Sequence, residues 1–427
     1  MIVDECVMAY APNFTSMARD STFRTLAMDT EVVDSGPFHS NVTNNDRITP
    51  SNATWLFFSH PQWHNPENDV KARFAINGTT TGFEYLSNGF NATPLEYGGP
   101  MIWWLAEFNG TDYITTETWN NSGGAANESR GLMVGCEVDP VNVCMLTGSS
   151  NFSETGAYTL LTGFSAALDP SGMAGTNRIE VLVAGYYLCL SVTNRCTTTE
   201  IRKNGSGVAI NGSYAHGYMS EIDYCVDYFE VGDYIEQYVT GADTITFRQL
   251  GMVRMGGITD SMAYTYNSTE TLSSDDFFGG GRYFRTDLEW IDTTGGHPRC
   301  EFEYDPGIGV CTTCGHFNAT AGYHLMIGKF VGRGGTFLQN VGSAMENNSV
   351  DLGYIWSNNR HDVGNDSSMC AAVVECVLDD DLRMGWDPSG TFINNAMTPW
   401  TNVFVTDVRC RGVARMITRT LTSVQRV

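Results

Sequence analysis

The chain has 427 residues, 42% of them hydrophobic and 12% aromatic, which is material for several cores and leaves no compositional case for disorder. Its formal charge of −24, with Lys71, Lys203 and Lys329 as the only lysines, argues against nucleic acid as a partner. No run approaches the roughly 20 apolar residues of a membrane span, so membrane insertion is not expected.

An acidic, lysine-poor surface suits the concentrated salt of a halophilic host, and equally an acidic protein of a high-GC genome. The opening Met1-Ile2-Val3-Asp4-Glu5 lacks the basic and apolar regions of a signal peptide, which predicts release inside a particle on lysis. Short alternating apolar runs broken by Gly, Asn, Asp and Pro follow, with no sustained 3.6-residue stripe. The expectation is an all-β protein with helix as a minor component.

A first unit, 1–138, opens with Met8-Ala9-Tyr10 before Asn13-Phe14-Thr15, then Phe23-Arg24-Thr25, Glu31-Val32-Val33-Asp34 and His39. His60-Pro61-Gln62-Trp63-His64 has the spacing of a helical metal pair, but Pro61 and Pro66 oppose a helix and predict a surface loop. Phe74-Ala75-Ile76-Asn77-Gly78 ends a strand in a hairpin turn whose residues tolerate positive φ. Gly131-Leu132-Met133-Val134 closes the unit.

In a second unit, 139–256, Ile179, Val181 and Val183 share one face of a strand, and Leu188, Leu190 and Val192 one face of the next. The hairpin recurs as Ile201-Arg202-Lys203-Asn204-Gly205, and Thr244-Ile245-Thr246-Phe247 reads as the closing strand. The third unit, 257–410, repeats the head: Met262-Ala263-Tyr264, Asn267-Ser268-Thr269, Phe284-Arg285-Thr286, Glu289-Trp290-Ile291-Asp292 and His297. Phe337-Leu338-Gln339-Asn340 before Gly342 is its hairpin, and Val403-Phe404-Val405 its closing strand. A basic tail, 411–427, ends an otherwise acidic chain. Landmarks recurring in this order predict tandem units.

The middle unit runs Ala184-Gly185-Tyr186-Tyr187-Leu188, Lys203-Asn204-Gly205 and Phe229-Glu230-Val231-Gly232-Asp233-Tyr234-Ile235-Glu236. That order resembles the tumour-necrosis-factor and complement-globular-head superfamily, with its Gly-Tyr-Tyr strand, Lys-Asn-Gly hairpin and Gly-Asp turn. The third unit matches in part, through Thr320-Ala321-Gly322-Tyr323-His324-Leu325, and the first through its head and hairpin. The head, with Asp29-Thr30-Glu31 and Asp34 before His39 and Arg47, is similar to virion proteins of tailed viruses. The resemblance implies three tandem antiparallel jelly-roll β-sandwiches that form a homotrimer through aromatic-lined faces. Tyr186, Tyr187, Tyr234 and Tyr238 are the trimer-contact candidates, with ordinary core packing as the alternative.

Asp379-Asp380-Asp381 occupies the place of the Gly232-Asp233 turn; some relatives bind calcium there, and a solvated acidic turn is the alternative. Twelve cysteines suffice for six disulfides whose pairing the sequence leaves open. Cys311-Thr312-Thr313-Cys314 has knuckle spacing without a second Cys-X-X-Cys, so disulfides or buried thiols are favoured over zinc. His39 and His297 read as turn-packing residues. Dense Asn-X-Ser/Thr sequons, Asn77 and Asn204 among them, are glycan acceptors or products of a composition rich in Asn, Ser and Thr. No nucleophile elbow, Walker loop, dinucleotide fingerprint or zinc-protease helix is present, which predicts a non-enzyme without cofactors, structural calcium aside. Arg411, Arg415, Arg419 and Arg426 are candidates for docking the tail on a major capsid protein or another virion protein. The sequence thus reads as a capsid turret or decoration protein exposed on the virion surface, with host-surface glycan as a further partner. The alternatives are a tail fibre or receptor-binding protein, and a secreted carbohydrate-binding or ligand-like module.

Overall fold

The alternating runs form strands, and among the described residues there is no helix. The structure is a computed structural model. It describes residues 2–256, save 18–21, 65–69, 88–96, 99–100, 121–126, 154–157, 197, 207–208, 215–219 and 242–243, and, from 262 to 408, the strands named below with Phe317–Asn318, Ala396–Met397, 321, 377 and 380.

Six antiparallel sheets make three face-to-face pairs. In the first unit the front sheet runs Thr30–Asp34, Ile2–Met17, Asn127–Val138, Thr54–His64, with Ile102–Glu107 and Tyr97–Gly98 on the last; the back sheet runs Arg24–Thr25, Ile114–Asn120, Val70–Ile76, Thr79–Thr80. The second unit repeats this as Ser165–Leu168, Val143–Gly148, Arg248–Gly256, Gly185–Asn194, Ser220–Phe229 over Ala174–Gly175, Arg178–Glu180, Tyr234–Thr240, Thr198–Lys203, Ala209–Tyr214. The third has Glu289–Thr294, Met262–Tyr266, Asn402–Val408, Gly322–Arg333, Asn365–Cys376 over Tyr283–Phe284, Asp381–Pro388, Val341–Asn347, Val350–Asp351. In each set the first strand pairs with the last, the closure of a jelly roll. Among the described strands, pairing stays within 2–138, 143–256 and 262–408.

The repeated heads are the first two strands of the outer front sheets, paired as Met8 with Val33 and Tyr264 with Asp292. The hairpin asparagines also do the same work twice. Asn77 and Asn204 hold φ of 51° and 55°, a region asparagine enters more readily than bulkier residues. Each reaches across to the turn ahead of the next strand. Asn77 Nδ2 donates to Asp112 Oδ1 (2.6 Å) while its Oδ1 accepts from Tyr113 N (3.0 Å), and Asn204 does the same to Asp233 (2.7 Å) and Tyr234 N (2.9 Å). These two sequon amides are therefore engaged in the fold. Partial burial disfavours the charge of Asp233, but hydrogen bonds from Asn204 and the Glu230 N–H, with Lys203 nearby, hold its carboxyl below the ordinary value.

The front sheets depart from the usual half-solvated antiparallel sheet. Along Gly185–Asn194 every residue but Tyr186 is buried, so both faces are covered. Tyr187, Cys189, Cys225, Leu250, Met252, Cys144 and Leu146 fill the sandwich of their own unit. The intervening Leu188, Leu190, Val192, Tyr224, Val226, Val253 and Met145 belong instead to a core shared by all three units. The first unit contributes Trp103 and Tyr85 to it, and the third Leu325 and Ile327. The edges meet in a closed cycle. Ile102–Glu107 lies against Ser165–Leu168, Ala209–Tyr214 against Asn365–Cys376, and Asn365–Cys376 against Thr30–Asp34.

Three local expectations are corrected. His60-Pro61-Gln62-Trp63 is a buried stretch of the strand Thr54–His64; Pro61 lies opposite Gly131 on one side and, on the other, in the gap between the partners of Ser59 and Trp63, where a missing N–H is tolerated. Thr244-Ile245-Thr246-Phe247 precedes the closing strand, which is Arg248–Gly256, because Ile245 bridges instead to Phe152. Val183 lies beyond the short strand Arg178–Glu180 and is 41% exposed, while Ile179 and Val181 are core.

Asn204→Gly is expected to cost about 1 kcal/mol through the lost side-chain bonds, and Asn204→Val a further 1–2 kcal/mol or so from left-handed strain. Denaturant midpoints of the full chain check both.

Candidate functional site

The junctions between units concentrate the buried polar chemistry. Asp223, on the edge strand of the second unit, pairs through Oδ1 with Lys329 Nζ of the third, and both side chains are 0% exposed. Burial pushes the Asp223 carboxyl up to about 6 against the opposing pull of Lys329, and its Oδ2 is buried without a hydrogen bond. The adjacent Tyr224 hydroxyl donates to Ile327 O of the third unit at 2.8 Å. Alternation explains why neighbours differ: Tyr224 faces the shared core, whereas Asp223 sits opposite Ser191 at the margin of its own sandwich.

Between the first and second units, the Tyr85 hydroxyl meets both Trp103 O (3.0 Å) and Gln249 Oε1, and burial drives its pKa far above the ordinary value. Phe247 packs edge-on against Tyr85 at 5.3 Å and Phe83 at 6.1 Å. The Trp103 ring lies over Gly251, where a Cβ would come within 2.6 Å of it. Glycine is required there by close approach, since its φ is ordinary.

Of the four tyrosines expected at a trimer face, Tyr186 alone packs on the shared core. Tyr187 has the opposite parity: it fills its own sandwich, donates to Val183 O at 2.6 Å, and burial raises it to about 12. Tyr234 and Tyr238 stand on the outer face of the back sheet, opposite in parity to Ile235 and Val239. The Arg178 and Arg202 guanidiniums lie 4.5 and 4.3 Å from their ring centroids, and Tyr158, 46% exposed, adjoins Arg202 at 4.9 Å.

Asp380 is the counterpart of Asp233. Its Oδ2 accepts from Val377 N at 2.8 Å as that of Asp233 accepts from Glu230 N at 2.8 Å, so it builds the turn. Asp379 and the side chain of Asp381 lie outside the described residues, as do His297, Cys311, Cys314, Arg411, Arg415, Arg419 and Arg426. Among the described residues no group of three His, Cys, Asp or Glu is placed to hold a metal ion. His39 is buried, its Nδ1 3.6 Å from Glu31, while Asp34 accepts from the N–H groups of Gly36, Phe38 and His39. Cys189 and Cys225 are directly opposed thiols, and burial with their mutual contact holds Cys225 well above its ordinary pKa.

The sequence reading passed over Asp223, Lys329, Tyr85 and Trp103. Lys329 did leave a signal, as one of three lysines and set within the apolar run Leu325-Met326-Ile327-Gly328-Lys329-Phe330-Val331.

No family model matches the chain, and no curated protein matches it. Solved structures similar to parts of it include murine APRIL, at 18% identity over 26% of this chain and 98% of that one, with a TM-score of 0.22. Eiger TNF from S. frugiperda matches at 10% identity over 35% of this chain and 94% of that one, TM-score 0.22. A triple jelly-roll turret protein of an archaeal virus matches at 13% identity over 94% of this chain and 91% of that one, TM-score 0.19. The fold assignment itself rests on the strand pairing.

Two measurements probe the junctions. The raised Asp223 pKa stabilises the fold below its ordinary value of 3.8, and that contribution is lost as pH rises through about 6. Asp223→Asn, which mimics the protonated carboxyl, should flatten the decline in unfolding midpoint between pH 4 and 6. Gly251→Val should cost about 1–3 kcal/mol by overpacking, with a change in tryptophan fluorescence as Trp103 is displaced.

Proposed function

We propose that this protein is a non-enzymatic structural component of a virus particle, a turret or decoration protein on the capsid surface. The observation that carries the reading is the shared core: three jelly rolls are joined through sheets buried on both faces. A body built that way resists local opening, because loosening one unit exposes apolar surface on two others. The net charge of −24 keeps such a body soluble and discourages nonspecific adhesion between neighbouring copies. Its head motifs resemble those of tailed-virus virion proteins, and the basic tail 411–427 supplies a docking segment for an acidic major capsid protein. A tail-fibre location is the alternative placement on the same particle.

The outer face of the second unit favours a second reading, carbohydrate binding. Tyr158, Tyr234 and Tyr238 alternate there with Arg178, Glu180 and Glu236, a mixture of apolar ring and charged hydrogen-bonding groups suited to sugars. On a particle this face would meet host-surface glycans; in a secreted module it would be the whole function.

Mass spectrometry and immunogold labelling of purified intact particles test the first reading, with the protein expected at the capsid surface. Recovery only in the particle-free medium would overturn it. Deleting 411–427 is expected to abolish incorporation while leaving the strand fold intact by circular dichroism. Binding of the full chain to host polysaccharide, weakened at least tenfold by Tyr158→Ala with Tyr238→Ala, would support the glycan face.

A further inference from the structure

We infer that one copy of this chain is a closed ring in which its own three units supply the contacts a trimer would make, and that the buried Asp223–Lys329 pair fixes how the ring closes. On this inference the contacts that a homotrimer would make between copies are made within one molecule.

The closure follows from which edges meet. The strand Ile102–Glu107 of the first unit lies on Ser165–Leu168 of the second, and the matching strand of the third, Asn365–Cys376, lies on Thr30–Asp34 of the first. Ser220–Phe229 of the second meets the third through Asp223 and Tyr224. The front sheet of the second unit therefore has its outer face covered by neighbouring units of the same chain, and the shared core contains residues from all three.

The junctions differ in chemistry. The first-to-second has the Trp103 ring over Gly251, with the Tyr85 hydroxyl on Gln249 and its ring on Phe247; the second-to-third has the buried Asp223 and Lys329. Lys329 docked against an apolar surface such as that around Trp103 would be a buried charge without a carboxylate, which is strongly disfavoured. The pair therefore rejects reversed closure and rejects a third unit arriving on the wrong neighbour in another copy. Its service is specificity of assembly, a known use of buried polar groups whose apolar replacement leaves stability unharmed.

The experiment compares the wild-type full chain with Asp223→Ile/Lys329→Val, which replaces the charged pair with apolar side chains. The wild type is expected to elute with the mass of one chain by light scattering, at all concentrations and after unfolding and refolding. The double variant is expected to keep or raise its melting temperature, yet to refold with at least a fivefold larger share of unit-exchanged oligomers, rising with concentration. The charge exchange Asp223→Lys/Lys329→Asp should return refolding to monomer. A native wild-type mass of three chains would overturn the closed ring. A double variant that is stable and refolds as faithfully to monomer as the wild type would overturn the role of the pair.

Discussion

A front sheet that is apolar on both faces has no stable place beside water, and this one constraint organises the molecule. In the second unit, Leu188, Leu190, Val192, Tyr224 and Val226 lie on the face turned away from their own sandwich. Burying side chains of this kind is worth about 1.5–3 kcal/mol each, so one such face carries free energy comparable with the whole net stability of a domain, about 5–15 kcal/mol. An isolated unit would forgo that and present a sticky sheet. Three units around a common core satisfy the constraint for one another.

Apolar burial alone does not say which sheet should cover which. Direction comes from groups that tolerate only one neighbour. The Tyr224 hydroxyl needs Ile327 O, the Tyr85 hydroxyl needs Trp103 O and Gln249, and Asp223 needs Lys329. Leaving any of them buried and unpaired costs more than forming the bond gains. Gly251 adds a steric condition, since only a missing side chain admits Trp103. At the periphery the asparagine hairpins perform a local version of the same task, tying each hairpin to the aspartate turn of the adjacent strand.

Much of this was legible along the chain. The repeated Met-Ala-Tyr heads are first strands in both outer units, the Asn-Gly turns are hairpins at Asn77 and Asn204, and Asp380 takes the place of Asp233 as its alignment suggested. Such features are local, because turn chemistry and period-two alternation act within a few residues. The failures were equally physical. His60 and Trp63 were read as a loop because Pro61 is a poor ladder residue, yet the surrounding apolar positions outweighed one missing donor. Tyr187 and Tyr186 looked alike in sequence, but adjacent strand residues face opposite sides, and only one of them reaches the shared core.

The sequence by itself determined the strands and the hairpin turns at Asn77 and Asn204, since these follow from short-range alternation and backbone preference, while the jelly roll was implied by resemblance. It also marked Leu188, Leu190 and Val192 as one apolar face. What covers that face was decided only by the tertiary structure. Burial depends on which surfaces meet, and residues as far apart as Asp223 and Lys329, or Tyr85 and Gln249, become neighbours only once three sheets have closed around one core.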